Sequence, residues 1–423
     1  MERLIFLVLY AIAIFSKMQA NLYNPYFEND YIYVGYIVIL LIWNILFLFC
    51  KRGKIRHTNA LIIILIMYSY IMTFGFIFNN ELLKIEILDN TFKMLMMVTF
   101  IWETACLIVK YRCFISFLRV TYWTQVIYLL SALIFNFEGL EFLAHIGSIL
   151  DSTGRYRVGY GSHANITGIF IFFTFCVSFL ISEYSDKRQK RNMKIVNGIL
   201  WVMLISTASR NSLMCTAVLY GSVLLSNLYK KNKDRFVKYV RRGILIAGFA
   251  SIFIFAFAGR FRDLLMSLNR FWPIYNNLQV WINSGRIVFG IGYVDPAYYA
   301  GMNIIYGSKT TYLENFYVAT IVSTGVLGFL WIVLMYYKII KSILQSTIMF
   351  SPELRVKIIS VVASFMLIGM GESYGFTHGL ETSFVFFIIC IYLASYKDTR
   401  KEKGDIECCK DNVIINGGNC DGT

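Results

Sequence analysis

The feature that most constrains this chain is a recurrence: apolar runs of about 14 to 22 residues follow one another along nearly its whole length. Each run, with its flanks, is long enough to cross a hydrocarbon layer about 30 Å thick as a helix rising about 1.5 Å per residue. About twelve such runs are found, centred on Leu7, Leu40, Leu65, Phe100, Leu129, Phe173, Val202, Val218, Ile252, Gly325, Ala363 and Phe387. Hydrocarbon offers backbone N–H and C=O groups no partner, so segments that cross it must satisfy those groups internally, as helices. Composition agrees: 57% hydrophobic and 17% aromatic residues, 4 prolines in 423 residues and a mean hydropathy of +0.60 lie outside the range of soluble globular domains. The expected fold class is an all-α polytopic membrane protein with about twelve transmembrane helices.

A net charge of +15 would point to nucleic acid in a soluble protein. Here its distribution points to orientation. Basic clusters stand at "KRGKIRH" (51–57), "KYRCFISFLR" (110–119), "DKRQKRNMK" (186–194), "YKKNKDRFVKYVRR" (229–242), "KIIKS" (338–342) with "RVK" (355–357), and "YKDTRKEK" (396–403). Each falls after an even number of crossings when the N-terminus starts inside, which meets the positive-inside rule and expects both ends in the cytoplasm. No nucleic-acid partner is expected. The opening "MERLIFLVLYAIAIFSKMQA" has the length of a signal peptide, but "KMQA" is a poor cleavage site, so it is read as a retained first span. The nine cysteines fall in spans, on the inner side or in the tail, so neither a disulfide framework nor a zinc spacing is expected. Residues 1–396 are read as the helical bundle and 397–423 as a disordered cytoplasmic tail.

Two neighbouring runs require arbitration. "IVNGILWVMLISTA" (195–208) is short for a span, yet joined to the next run it would form a helix of roughly 34 residues, about 51 Å long. Both flanks of the pair are basic, so the pair is read as two crossings with "STASRNS" (206–212) as a tight outer tip. That reading puts Arg210 outside, where insertion does not call for a cation. The other outer arginines are Arg155 and Arg157 in the loop before the sixth span, and Arg260, Arg262, Arg270 and Arg286 in the long outer loop 259–314. Arginines near helix ends can simply snorkel to the headgroups. Three clusters on one face suggest a ligand. A guanidinium fork matches phosphate oxygens two at a time, and two or three fixed cations would stabilise a departing diphosphate without a metal. The acidic pair Glu28 and Asp30 in "END" is too little to build a metal centre on.

Four stretches then appear in a characteristic order. They are "RVGYGSHANITG" (157–168), "LISTASRNSLM" (204–214), "NRFWPIYNNLQVWINSGRIVFGIGY" (269–293) and "YLENFYVATIVSTGVLGFLW" (312–331). The first is an Arg and glycine-rich segment before a span. The second is a Ser-Arg hairpin tip. The third is an Arg-started helix running into a G-x-G-aromatic turn, and the fourth an Asn-aromatic segment followed by Gly-x-x-Gly. Together they resemble the Wzy-type repeat-unit polymerases and O-antigen ligases, inverting glycosyltransferases of the outer leaflet. The resemblance covers roughly residues 150–335, and an Arg-x10-Gly pattern of the polymerases is matched by Arg157/Gly168 and Arg210/Gly221.

The resemblance implies that a sugar hydroxyl attacks the anomeric carbon of a polyprenyl-diphosphate-linked chain. Arg210 and Arg270 match the diphosphate-binding arginines best, with Arg157 a third. The ligases carry a His before the Asn-aromatic segment; here Glu314 holds that place, followed by Asn315, which favours a polymerase. Glu314 is the first candidate acid–base residue, and it is also placed to complement a helix dipole. Glu372 and His378 in "GMGESYGFTHGLETS" (369–383) compete for the role. His163, Asn165 and Asn315 are candidate sugar contacts. No cofactor and no metal are implied. The implied partners are lipid-linked donor and acceptor in the bilayer, with a flippase and a chain-length regulator, and the implied location is the bacterial cytoplasmic membrane. A ligase that transfers finished glycan is the alternative. A lipid-linked oligosaccharide transporter is the rival from a different class, supported by Glu103 at membrane depth in "FIWETACLIV".

Overall fold

The structure is a computed structural model, and it describes residues 2–20, 35, 38–39, 42–43, 45, 64–65, 84–135, 164–207, 209–231, 271–290, 315–346, 351–371 and 381–401. Among these residues every regular element is helical and there is no strand. The helices are α1 (Glu2–Ala20), α2 (Lys84–Tyr111), α3 (Phe114–Phe135), α4 (Ala164–Ile181), α5 (Lys187–Thr207), α6 (Arg210–Lys231), α7 (Phe271–Asn283), α8 (Phe316–Ser346), α9 (Pro352–Ile368) and α10 (Glu381–Lys401). Nine of the apolar runs coincide with α1–α6 and α8–α10. The run about Ile252, and most of those about Leu40 and Leu65, lie outside the described residues. Among the described residues three stretches are long and apolar enough to cross a membrane: Asn165–Tyr184, Arg210–Leu228 and Phe316–Gln345.

The centre of the bundle is α4. Its residues 169–177 are all buried, including Phe170, Phe172, Phe173 and Phe175, as expected of a helix that is apolar on every side. It packs against α3, α5, α6, α9 and α10. Aromatic contacts knit the interfaces, with Phe365 of α9 stacked on Phe386 of α10 at 3.8 Å between centroids. In hydrocarbon, apolar surface supplies little drive for helix association, so hydroxyls and amides contribute specificity. Tyr122 of α3 donates to Asn197 of α5 at 3.1 Å, Asn197 donates to Ser178 of α4 at 2.7 Å, and Ser222 of α6 pairs with Ser360 of α9 at 2.6 Å.

These contacts also set helix direction. At one end, Arg3 donates to Ser116 at 2.5 Å and Tyr111 to Glu2 at 3.1 Å, joining the start of α1, the end of α2 and the start of α3. Arg119 reaches the Tyr184 carbonyl at 3.0 Å and the Gln189 amide oxygen at 3.3 Å. Lys357 pairs with Glu183 at 2.5 Å and donates to Ser182 at 2.7 Å. The end of α4 and the starts of α5 and α9 therefore lie here too. At the opposite end, Asn211 donates to the Ile368 carbonyl at 2.8 Å, and Phe316 N–H to the Gly369 carbonyl at 2.9 Å. So α1, α3, α5 and α9 run one way, and α2, α4, α6, α8 and α10 the other. Arg3, Arg112, Arg119, Arg188, Arg191, Arg355 and Arg400 all belong to the first end. Among the described residues only Arg210 and Arg286 are arginines of the other end.

The fold departs from regularity in α8. Gly325 is non-helical, at φ 67° and ψ −170°, and breaks the helix after its first nine or so residues. Val326 and Leu327 then give their N–H groups to the carbonyls of Ile287 and Val288 at 3.0 and 3.2 Å, in the turn that follows α7. That turn ends at Gly290, also left-handed at φ 76°. The two glycines face each other closely. A Cβ on Gly290 would collide with the Ser323 backbone, and one on Gly325 with the Val288 carbonyl. Both positions thus need the absence of a side chain twice over, for conformation and for space. Gly221 on α6 is the contrast, with open space where its Cβ would be. Gly290→Val is expected to lower the midpoint of thermal unfolding in detergent by several degrees or abolish folded yield. Gly221→Ala is expected to leave the midpoint unchanged or slightly raised.

Candidate functional site at the Asn211 end of the bundle

The four motif stretches are far apart in sequence, but their described parts meet at this end. Asn165 and Gly168 lie in the first turns of α4. A Cβ on Gly168 would stand 2.6 Å from Ser209 Cβ and 2.9 Å from Ser212 Oγ, so the start of α4 packs directly on the Ser-Arg tip. The tip is as tight as its basic flanks require: α5 ends at Thr207 and α6 starts at Arg210. Ser209 caps α6 through its carbonyl, which accepts Leu213 N–H at 2.9 Å, and its hydroxyl bonds Ser212 at 3.0 Å. Asn211 is buried and carries the contact onward to Ile368 at the end of α9. A Cβ on Gly371 would lie 2.7 Å from its amide carbon. Asn315 closes the ring from α8, donating to the Met370 carbonyl at 2.7 Å while its Oδ1 accepts Val318 N–H at 3.0 Å. Further along α8, the Gly325 break joins the third stretch to the fourth through the turn after α7.

Arg210 is one of the described cations of this end, with Arg286 and Lys17. It is exposed, and its guanidinium makes no hydrogen bond or ion pair with any described residue. It stands at the first position of α6, where the N–H groups of the first turn have no helical acceptor. A cation there opposes the helix dipole at a cost of about 0.3–1 kcal/mol. An anion bound at the same place reverses the sign, because it is met by the guanidinium fork and by the positive helix end together. Arg286, half-buried, sits in the turn that holds the α8 break; its carbonyl accepts Gly290 N–H at 2.8 Å.

The candidate residues divide as follows. Arg210, Asn165 and Asn315 are brought to one end of the bundle. Asn165 is buried, and both atoms of the Asn315 amide are engaged with backbone, so in this conformation Asn315 caps α8 and fastens it to α9. Arg157, His163, Arg270, Glu314, Glu372 and His378 lie outside the described residues, as do Arg155, Arg260, Arg262, Glu28 and Asp30. Their neighbours Asn165, Phe271, Asn315 and Gly371 are described. Of the glycines in the two Arg-x10-Gly matches, Gly168 is packed against the tip, whereas a Cβ on Gly221 would meet open space; Arg157 lies outside the described residues. Residues missed from sequence are Ser209, Asn211 and Lys17. The first two flank Arg210 in "SRNS", and a serine ahead of a helix was a legible capping signal. Lys17 is 3% exposed on α1, and nothing in its spacing announced it.

A scan against protein-family models finds no family that matches this chain, and a search of curated proteins finds no match. Asn211→Ala removes the bond that holds the tip against α9, and is expected to destabilise by about 1 kcal/mol or more. Thermal unfolding in detergent should show a midpoint a few degrees lower, and Asn211→Gln should not restore it, because the longer amide has no room beside Gly371.

Proposed function

We propose that this protein is a metal-independent membrane glycosyltransferase that joins polyprenyl-diphosphate-linked oligosaccharide repeats at the outer face of a bacterial cytoplasmic membrane. The product would be a capsular polysaccharide, an exopolysaccharide or an O-antigen. The observation that carries the reading is Arg210: an exposed guanidinium at the start of α6, in a tip on which the Gly168, Gly371 and Asn315 segments converge. The basic end of the bundle would face the cytoplasm under the positive-inside rule, which makes the Arg210 end extracytoplasmic. The helix directions fit a chain of about twelve crossings with both termini inside. α1 and α2 are antiparallel, which calls for an even number of crossings between them. α6 and α8 are parallel, which calls for an odd number, and the apolar run about Ile252 is the candidate for it.

In the proposed reaction a hydroxyl of the acceptor sugar attacks the anomeric carbon of the donor chain from the face opposite the diphosphate. The new C–O bond forms as the C–O bond to phosphate breaks, and polyprenyl diphosphate leaves with the electron pair. Arg210, joined by Arg270 and Arg157, would take up the charge that develops on the diphosphate. The hydroxyl proton passes to a carboxylate or imidazole, for which Glu314, Glu372 and His378 are the candidates. His163, Asn165 and Asn315 complete the proposed sugar side of the site. A flippase and a chain-length regulator are the proposed partners, and no cofactor is required.

The rival transporter reading draws on two charges inside the bundle, Glu103 at 1% and Lys17 at 3% exposure. The two readings separate cleanly in the native host. For the polymerase, Arg210→Ala should reduce long-chain glycan at least a hundredfold and leave single lipid-linked repeats to accumulate outside. Arg210→Lys should rescue only partly, because a point charge cannot replace the planar fork. Glu103→Gln should cost less than either. The reverse order, with repeats retained on the inner leaflet, would sink the polymerase reading. Accumulation of long, untransferred lipid-linked glycan would instead favour a ligase.

A further inference from the structure

The first two turns of α5 carry Lys187, Arg188, Lys190, Arg191 and Lys194, all exposed. Four of them, Lys187, Lys190, Arg191 and Lys194, recur at i, i+3, i+4 and i+7, and so share one face. Like charges at that spacing repel, and cations in a first helical turn oppose the dipole. The carboxylates just ahead are committed elsewhere. Asp186 accepts Gln189 N–H at 2.7 Å in the helix cap, and Glu183 pairs with Lys357. The same face continues to Gly198, where a Cβ would meet nothing within 4 Å. Ile195, 61% exposed, and Ile199, 40% exposed, border that notch. A cationic stripe thus passes within one turn into an apolar one with a gap in it.

With α5 placed as one crossing of the proposed bundle, its length sets the depth at which this face sits. Beyond the cations, from Ile195 to Thr207, only about 13 residues remain, roughly 20 Å of helix. A hydrocarbon layer is about 30 Å thick, so the basic turns are held at headgroup depth or are drawn below it.

We propose that this face of α5 is a binding site for an anionic phospholipid. Lys187, Lys190, Arg191 and Lys194 hold the phosphate and the charged headgroup, and an acyl chain lies over Gly198 between Ile195 and Ile199. The site rests on the membrane-spanning character of the bundle and is independent of the glycosyltransferase reading.

The test is native mass spectrometry of the purified full-length protein in detergent, titrated with phosphatidylglycerol or phosphatidylcholine. The wild type should retain phosphatidylglycerol at least tenfold better, and the preference should collapse as ionic strength rises. Each cation contributes about fivefold, so Lys190→Gln with Lys194→Gln should reduce the preference by at least tenfold. Gly198→Leu, which fills the notch and keeps every charge, should weaken retention of both lipids without removing the preference. Equal retention of the two lipids by the wild type would overturn the proposal, and that arm needs no variant to fold. Unchanged preference in the double variant would overturn it as well. So would loss of a co-purifying soluble protein from the double variant while lipid retention stays at the wild-type level, since the face would then be a protein dock.

Discussion

A backbone polar group removed from water must find its partner inside the protein, and the rest of this structure is arranged around that requirement. Most of the described residues meet it in unbroken helices. α8 does not, because Gly325 turns the backbone out of the helix and frees the N–H groups that follow. The turn after α7 supplies the missing acceptors, the carbonyls of Ile287 and Val288. A turn distant in sequence therefore becomes part of the hydrogen bonding of α8. The price is two glycines, Gly290 and Gly325, that cannot carry side chains. Because α8 also begins at the Asn315 bond to α9, the break ties the segment after α7 to the end of the bundle where Arg210 stands.

The apolar runs make the placement of nine described helices legible in the sequence, since a run that must be a helix in lipid has little alternative. The tip at 206–212 is legible for an electrostatic reason: basic flanks on both sides of an overlong run require the chain to turn back, and it does so within two residues. The convergence of motifs is legible only as an order along the chain. Contacts such as Gly168 on Ser209, or Asn211 on Ile368, depend on which helices are neighbours, and a single sequence carries no direct record of that. The burial of Lys17 is invisible in the sequence for the same reason. A lysine in the last turn of a first span looks like a snorkelling residue until its neighbours are known.

The asymmetry of arginine is the link between fold and proposed chemistry. Seven described arginines gather at the end where α1 begins, and the positive-inside rule would account for them with that end in the cytoplasm. Insertion does not account for Arg210, which stands at the positive end of its own helix and so works against local stability. Side chains kept against local stability are a common mark of sites that bind or react. A diphosphate at headgroup depth would make sense of the guanidinium, of the first-turn N–H groups beneath it, and of the glycines packed closely about the tip.

The central claim is that the Arg210 end of the bundle transfers a glycan from a lipid diphosphate. Its most direct test is reconstitution of the purified protein into vesicles that carry polyprenyl-diphosphate-linked repeat units, with a chelator present to remove divalent metal. The account predicts a ladder of longer lipid-linked chains, one polyprenyl diphosphate released for each bond formed, and inversion at the anomeric carbon. Repeats that cross the bilayer without any change in chain length would contradict it.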